Sequence, residues 1–121
     1  FSAGGAAAAA VSPEYLQVTK VLLMEPAAYT LDSVWRTSLR EFMGSVHIVV
    51  GDPNHDAIGP KVGNAYLEAF SKARVRKCVA IPECNHNFAG TKNGQIMSKA
   101  HDWAFAGNTT FPSPDGGLLL Y

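Results

Sequence analysis

Val46-His47-Ile48-Val49-Val50-Gly51-Asp52-Pro53-Asn54-His55-Asp56-Ala57-Ile58-Gly59-Pro60 decides the fold of this chain. Its first five residues have no polar alternation beyond His47, so both faces of the strand must be covered, as in a parallel sheet with helices on each side. Gly51-Asp52-Pro53-Asn54 then breaks the strand. Val62, Ala65, Tyr66, Ala69, Phe70 and Ala73 follow at helical spacing.

The same alternation extends outward in both directions. Upstream, Val21-Leu22-Leu23-Met24 is a second apolar run, ended by Glu25-Pro26. Between the two runs, Leu31, Val34, Trp35, Leu39, Phe42 and Met43 recur at helical spacing, with Gly44 as a stop. Downstream, Val75 to Ile81 reads as a third strand closed by Pro82. Gln95 to Phe105 reads as a last helix, with Ile96, Met97, Ala100 and Trp103 on one side. Ala6 to Val11, after Gly4-Gly5, predicts a short helix whose small side chains suit close packing. The expected order is helix, strand, helix, strand, helix, strand, helix. The fold class is α/β, a parallel sheet with flanking helices, joined by right-handed crossovers. Residues 1–107 form this unit, and 108–121 a Pro/Gly-rich tail packed on or near it.

Composition narrows the function. Of 121 residues 47% are hydrophobic and only 17% charged, which excludes a disordered tail. Ten acidic side chains cancel ten basic ones, so nothing general draws the chain to nucleic acid. No apolar run approaches the roughly 20 residues of a membrane helix. Two cysteines outside any C-x-x-C pattern, Cys78 and Cys84, make no disulfide framework and read as buried thiols.

Three segments carry chemistry. Ser2 lies in Phe1-Ser2-Ala3-Gly4-Gly5, directly before the alanine helix. This matches the later part of G-x-S-x-G, in which a sharp strand-to-helix turn lifts a serine into the open. A serine before a helix is ordinarily an N-cap. The acids Asp52 and Asp56 follow the second strand, and Glu83-Cys84-Asn85-His86-Asn87-Phe88 follows the third. In this Ser…Asp…His order the sequence resembles the α/β-hydrolase family, over nearly all of residues 1–107.

The resemblance implies a C-terminal half of that fold, beginning at the nucleophile elbow. It implies Ser2 as nucleophile, His86 as general base and Asp56 as the acid of the triad, with Asp52 as rival for the last role. The N–H of Ala3 is then an oxyanion donor. Trp103 matches a packing tryptophan of the last helix. The implied activity is cleavage of a carboxylic ester, on a small-molecule or polymeric substrate, through an acyl-enzyme. No cofactor or metal is implied. An acyltransferase with the same triad, or a non-catalytic binding module of that fold, are the alternatives. The resemblance also implies a partner: the N-terminal portion of the same fold, as a separate chain or segment, beside Val21–Met24.

Other residues have plainer readings. Glu25 reads as a strand-end residue, Asp32 as a helix cap and His47 as a packed core histidine. His101 reads as half exposed on the last helix. Asp52-x-x-His55-Asp56 offers metal-ligand types without a supporting cluster. Asn108-Thr109-Thr110 fits a glycosylation acceptor pattern.

Overall fold

The computed structural model describes residues 1–31, 35–88, 91–108, 111 and 118–119. The three apolar runs form strands β1 (Lys20–Met24), β2 (Ser45–Gly51) and β3 (Val75–Ile81). They pair in parallel, with β2 central. All seven residues of β2 are buried, as its continuous apolar sequence requires. The register aligns the strand starts, Lys20 with Ser45 and Ser45 with Val75, and β2 and β3 run two residues beyond the end of β1 at the same end of the sheet.

Helices cover both faces. On one side Val21, Leu23, Val46, Ile48, Val50 and Ala80 meet Ala9 of α1 (Ser2–Val11) and Tyr66, Leu67 and Phe70, which belong to or adjoin α3 (Gly59–Ala69). On the other side Met24, Val49, Val79 and Ile81 meet Ile96, Ala100 and Trp103 of α4 (Thr91–Phe105). The alternation of faces along each strand is the period-2 rule of a pleated sheet. Helix α2 (Trp35–Glu41) lies beside α1 and α3, and adds Leu39 to the first core. In α1, Ala6 and Ala9 are fully buried, which is what the lack of side-chain bulk permits.

Boundaries differ from the sequence expectation in instructive ways. α1 begins at Ser2, four residues before the alanine run. The expected helix over Leu31–Met43 is a 3-10 turn at Ala28–Thr30 followed by α2, and residues 32–34 lie outside the described set. Met43 is exposed rather than part of the stripe. α3 starts at Gly59 because Pro60 suits the first turn and Asp56 accepts hydrogen bonds from the N–H groups of Ile58 and Gly59. In the tail, Leu118–Leu119 add a short antiparallel strand β4 to the open edge of β3, giving backbone partners to an edge that would otherwise be exposed. Thr109, Thr110 and residues 112–117 lie outside the described set.

Candidate active site

The loops after β1, β2 and β3 converge with the first turn of α1, at the end of the sheet where open α/β folds hold ligands. Ser2 is the first residue of α1 and has φ 48°. A non-glycine residue there costs roughly 1–2 kcal/mol, so the surrounding structure must impose it. The constraint is visible: the carbonyl of Ser2 accepts a hydrogen bond from the N–H of Ala27 at 3.0 Å, tying α1 to the loop after β1. One turn into the helix, a side chain at Gly5 would meet Pro26 of that loop, whereas Gly4 faces open space. Ala3, the next residue of α1, is exposed.

Ser2 Oγ lies 3.1 Å from His86 Nε2, across 84 positions of sequence. The His86 ring is flanked by Phe1, with ring centroids 5.4 Å apart, and Phe1 in turn meets the edge of Phe88. Phe88 also has positive φ, at 50°. On the opposite side of the ring, His86 Nδ1 faces two carboxyl groups. Glu25 Oε2 is 3.3 Å away and Asp56 Oδ2 3.9 Å.

The two acids are held differently. Glu25, with φ 46°, turns its side chain into the interior and is only 2% exposed. Its Oε1 accepts a hydrogen bond from the N–H of Gly51. Burial is the largest influence on this group, and the hydrogen bond and negative charge of Asp56 act in the same direction. Against the pull of the Gly51 N–H, they push its pKa from the usual 4.5 up to about 8. Burial also pushes Asp56 upward. There the N–H groups of Gly59 and Ile58, the hydrogen bond with Glu25 and the nearby His86 outweigh it, and hold the carboxyl below its ordinary value.

Two glycines make room for this arrangement. A side chain at Gly51 would run into the carbonyl of Cys84, closing the gap between the loops after β2 and β3. A Cβ at Gly59 would stand 2.7 Å from Glu25 Oε2 and 2.8 Å from Asp56 Oδ2. Either substitution displaces the groups behind His86.

Ser2, His86 and Asp56 lie together, whereas Asp52 is directed elsewhere. Asp52 accepts hydrogen bonds from the N–H groups of Asn54, His55 and Glu83, and contacts His55 Nδ1 at 3.0 Å. Glu25, read from sequence as a strand-end residue, is the carboxyl nearest His86. The signal available was an acidic residue closing an apolar strand, immediately before Pro26. His55 and Asp52 do not join Asp56 in a ligand cluster. Among the described residues, those whose potential ligand atoms lie within 4.8 Å of one another are Glu25, Asp56 and His86.

Beside these carboxyls lies a cleft of about 320 Å³, walled by Pro26, Ala27, Ala28, Ile58 and Val62. A serine hydroxyl able to pass its proton to an imidazole, an imidazole backed by carboxyl groups and an adjoining apolar cleft are the parts that nucleophilic acyl chemistry needs. Cys78 and Cys84 are free thiols. Burial first, and nearby acidic groups second, push them up to about 12 and about 11, so neither is a nucleophile at neutral pH. No protein-family model matches the chain, and no curated protein sequence matches it significantly.

Proposed function

We propose that this chain carries the catalytic residues of a serine hydrolase of the α/β-hydrolase type, cleaving carboxylic esters or related acyl bonds. The observation that carries the reading is the 3.1 Å contact of Ser2 Oγ with His86 Nε2, on an imidazole whose other nitrogen faces two carboxyl groups, one buried and one half-buried. The left-handed backbone of Ser2 at a helix start supports it, because a strained turn is how a short hydroxyl side chain is held clear of the surface.

In this reading Ser2 Oγ attacks the substrate carbonyl while Nε2 of His86 takes its proton. The negative charge facing Nδ1 stabilises the imidazolium, and His86 then returns the proton to the leaving alcohol. Water repeats the sequence on the acyl-enzyme and frees Ser2. The backbone N–H of Ala3 has the oxyanion role. The cleft beside His86 suits a small apolar group of the ester.

The proposal includes a companion segment along β1. Among the described residues β1 pairs only with β2, although its Val21, Leu23 and Met24 are buried. An N-terminal portion of the same fold would complete the sheet there. Among the described residues no helix is long and apolar enough to cross a membrane.

The test is labelling with a fluorophosphonate, followed by peptide mapping. The expected result is a single adduct on Ser2, lost in Ser2→Ala and reduced by roughly 10³-fold or more in His86→Ala. An adduct on another residue, or none on protein that is folded and assembled, overturns the assignment.

A further inference from the structure

Glu25 and Asp56 are arranged alike. Each has one oxygen tied to backbone: Glu25 Oε1 to the N–H of Gly51, and Asp56 Oδ1 to the N–H groups of Ile58 and Gly59. Each turns its other oxygen toward His86 Nδ1, and both of these oxygens crowd against Gly59. The potential ligand atoms of Glu25, Asp56 and His86 all lie within 4.8 Å of one another. Two carboxyl groups this close can bind one another only through a proton, since an ionised carboxylate only accepts. A second negative charge buried beside the first would also be strongly disfavoured.

We infer that Glu25 and Asp56 act on His86 as one composite acid, holding a single proton and a single negative charge between them. Glu25 is the positioning residue that meets Nδ1, and Asp56 is its ionised partner. This rests on the hydrolase reading for its catalytic consequence, though not for its protonation.

Two backbone donors on Asp56 against one on the more deeply buried Glu25 place the resting charge on Asp56. When His86 takes the Ser2 proton, the shared proton moves from Glu25 to Asp56. The negative charge then lies on the carboxyl nearest the new imidazolium, and no proton enters or leaves the pair. The titratable groups interacting with Glu25 are Asp56, His86, Cys78 and Cys84. Both thiols stay neutral at pH 7, so the pair and His86 alone govern the charge here.

The experiment compares Glu25→Gln, Asp56→Asn and the double variant in the intact protein, by fluorophosphonate labelling rate against pH. Each single variant leaves one acid able to carry the charge, so each loses about 10-fold, while the double variant loses about 10⁴-fold. In Asp56→Asn the remaining Glu25 is expected to titrate lower, shifting the acid limb of the rate profile. If either single variant alone falls to the level of the double, one carboxyl does all the work and the composite acid is wrong.

Infrared difference spectra provide the readout that does not need catalysis. Wild type at pH 7 should show the carbonyl band of a protonated carboxylic acid that Glu25→Gln removes. Absence of that band overturns the shared proton even if a variant fails to fold. Failure of wild type to label at Ser2, with the band present, instead removes the hydrolase reading and leaves the pair intact.

Discussion

Two histidines in neighbouring loops each face a carboxylate, and the two couples differ in nearly everything else. His55 and His86 are almost equally open to solvent, with side chains 48% and 46% exposed. Their partners are not: Asp52 is 13% exposed and Glu25 2%. The His55–Asp52 contact closes over three residues, whereas His86 reaches Glu25 across 61 and Ser2 across 84. Asp52 is fully engaged by local N–H groups and by the N–H of Glu83, which fastens the loop after β2 to the loop after β3. Burial pushes Asp52 upward, but His55 and the N–H groups of Asn54 and Glu83 outweigh it and hold the carboxyl low. One couple therefore organises loops. The other sets two carboxyl groups against one side of an imidazole whose other side meets a hydroxyl.

The largest effect that tests this division is a paired comparison of alanine variants. His55→Ala removes an exposed contact worth at most about 1 kcal/mol, so Ser2 labelling should change by less than about 5-fold. His86→Ala should lower it by roughly 10³-fold. Comparable losses in both would show that the His55 couple belongs to the chemistry, and would break the distinction.

Gly59→Ala sharpens it at the next scale down. The three atoms nearest the added methyl all belong to Glu25 and Asp56. We expect a 10- to 100-fold slower labelling rate, with about 1–3 kcal/mol lost in urea unfolding. An unchanged rate would mean that the carboxyl pair moves without consequence for His86.

The fold was more legible than the site because its signals are local. Three apolar runs, the stripes of three helices and the alanine run of α1 follow from neighbours along the chain, and Val75 to Ile81 matches its expected span residue for residue. β4 was not legible, since two leucines become a strand only when the edge of β3 is present to pair with them. Within the site, Ser2, Asp56 and His86 are singled out by the family resemblance, and that their loops meet is visible only once the sheet is formed. The priority of Glu25 over Asp52 could not be read from the chain, because it depends on a backbone turn to φ 46° at Glu25 and on the local hydrogen bonds that occupy Asp52.

A third histidine isolates what a carboxylate contributes, and gives the smallest effect at neutral pH. His47 lies in β2, 8% exposed, edge-on to Trp103 with centroids 4.5 Å apart. Its Nδ1 has no hydrogen-bond partner among the described residues. Burial first, then Lys77 and Lys20, lower its pKa from 6.5 to about 4. Between these values the unfolded chain binds a proton that the folded one refuses, so His47 makes stability fall as pH drops from about 6.5 to 4. Glu25 acts with the opposite sign. Its folded pKa is raised to about 8, so the folded state holds the extra proton, and stability falls as pH rises from about 4.5 to 8. The two slopes oppose one another in the overlap. His47→Phe keeps an aromatic ring beside Trp103 and removes one slope only. Unfolding free energies in urea should then differ from wild type by less than about 1 kcal/mol at pH 7.5, while at pH 5 the variant gains roughly 2 kcal/mol relative to wild type. The Glu25 slope toward pH 8 should survive unchanged. A variant that flattened both limbs would mean that the core histidine and the carboxyl pair titrate as one system, contrary to their separation in the sheet.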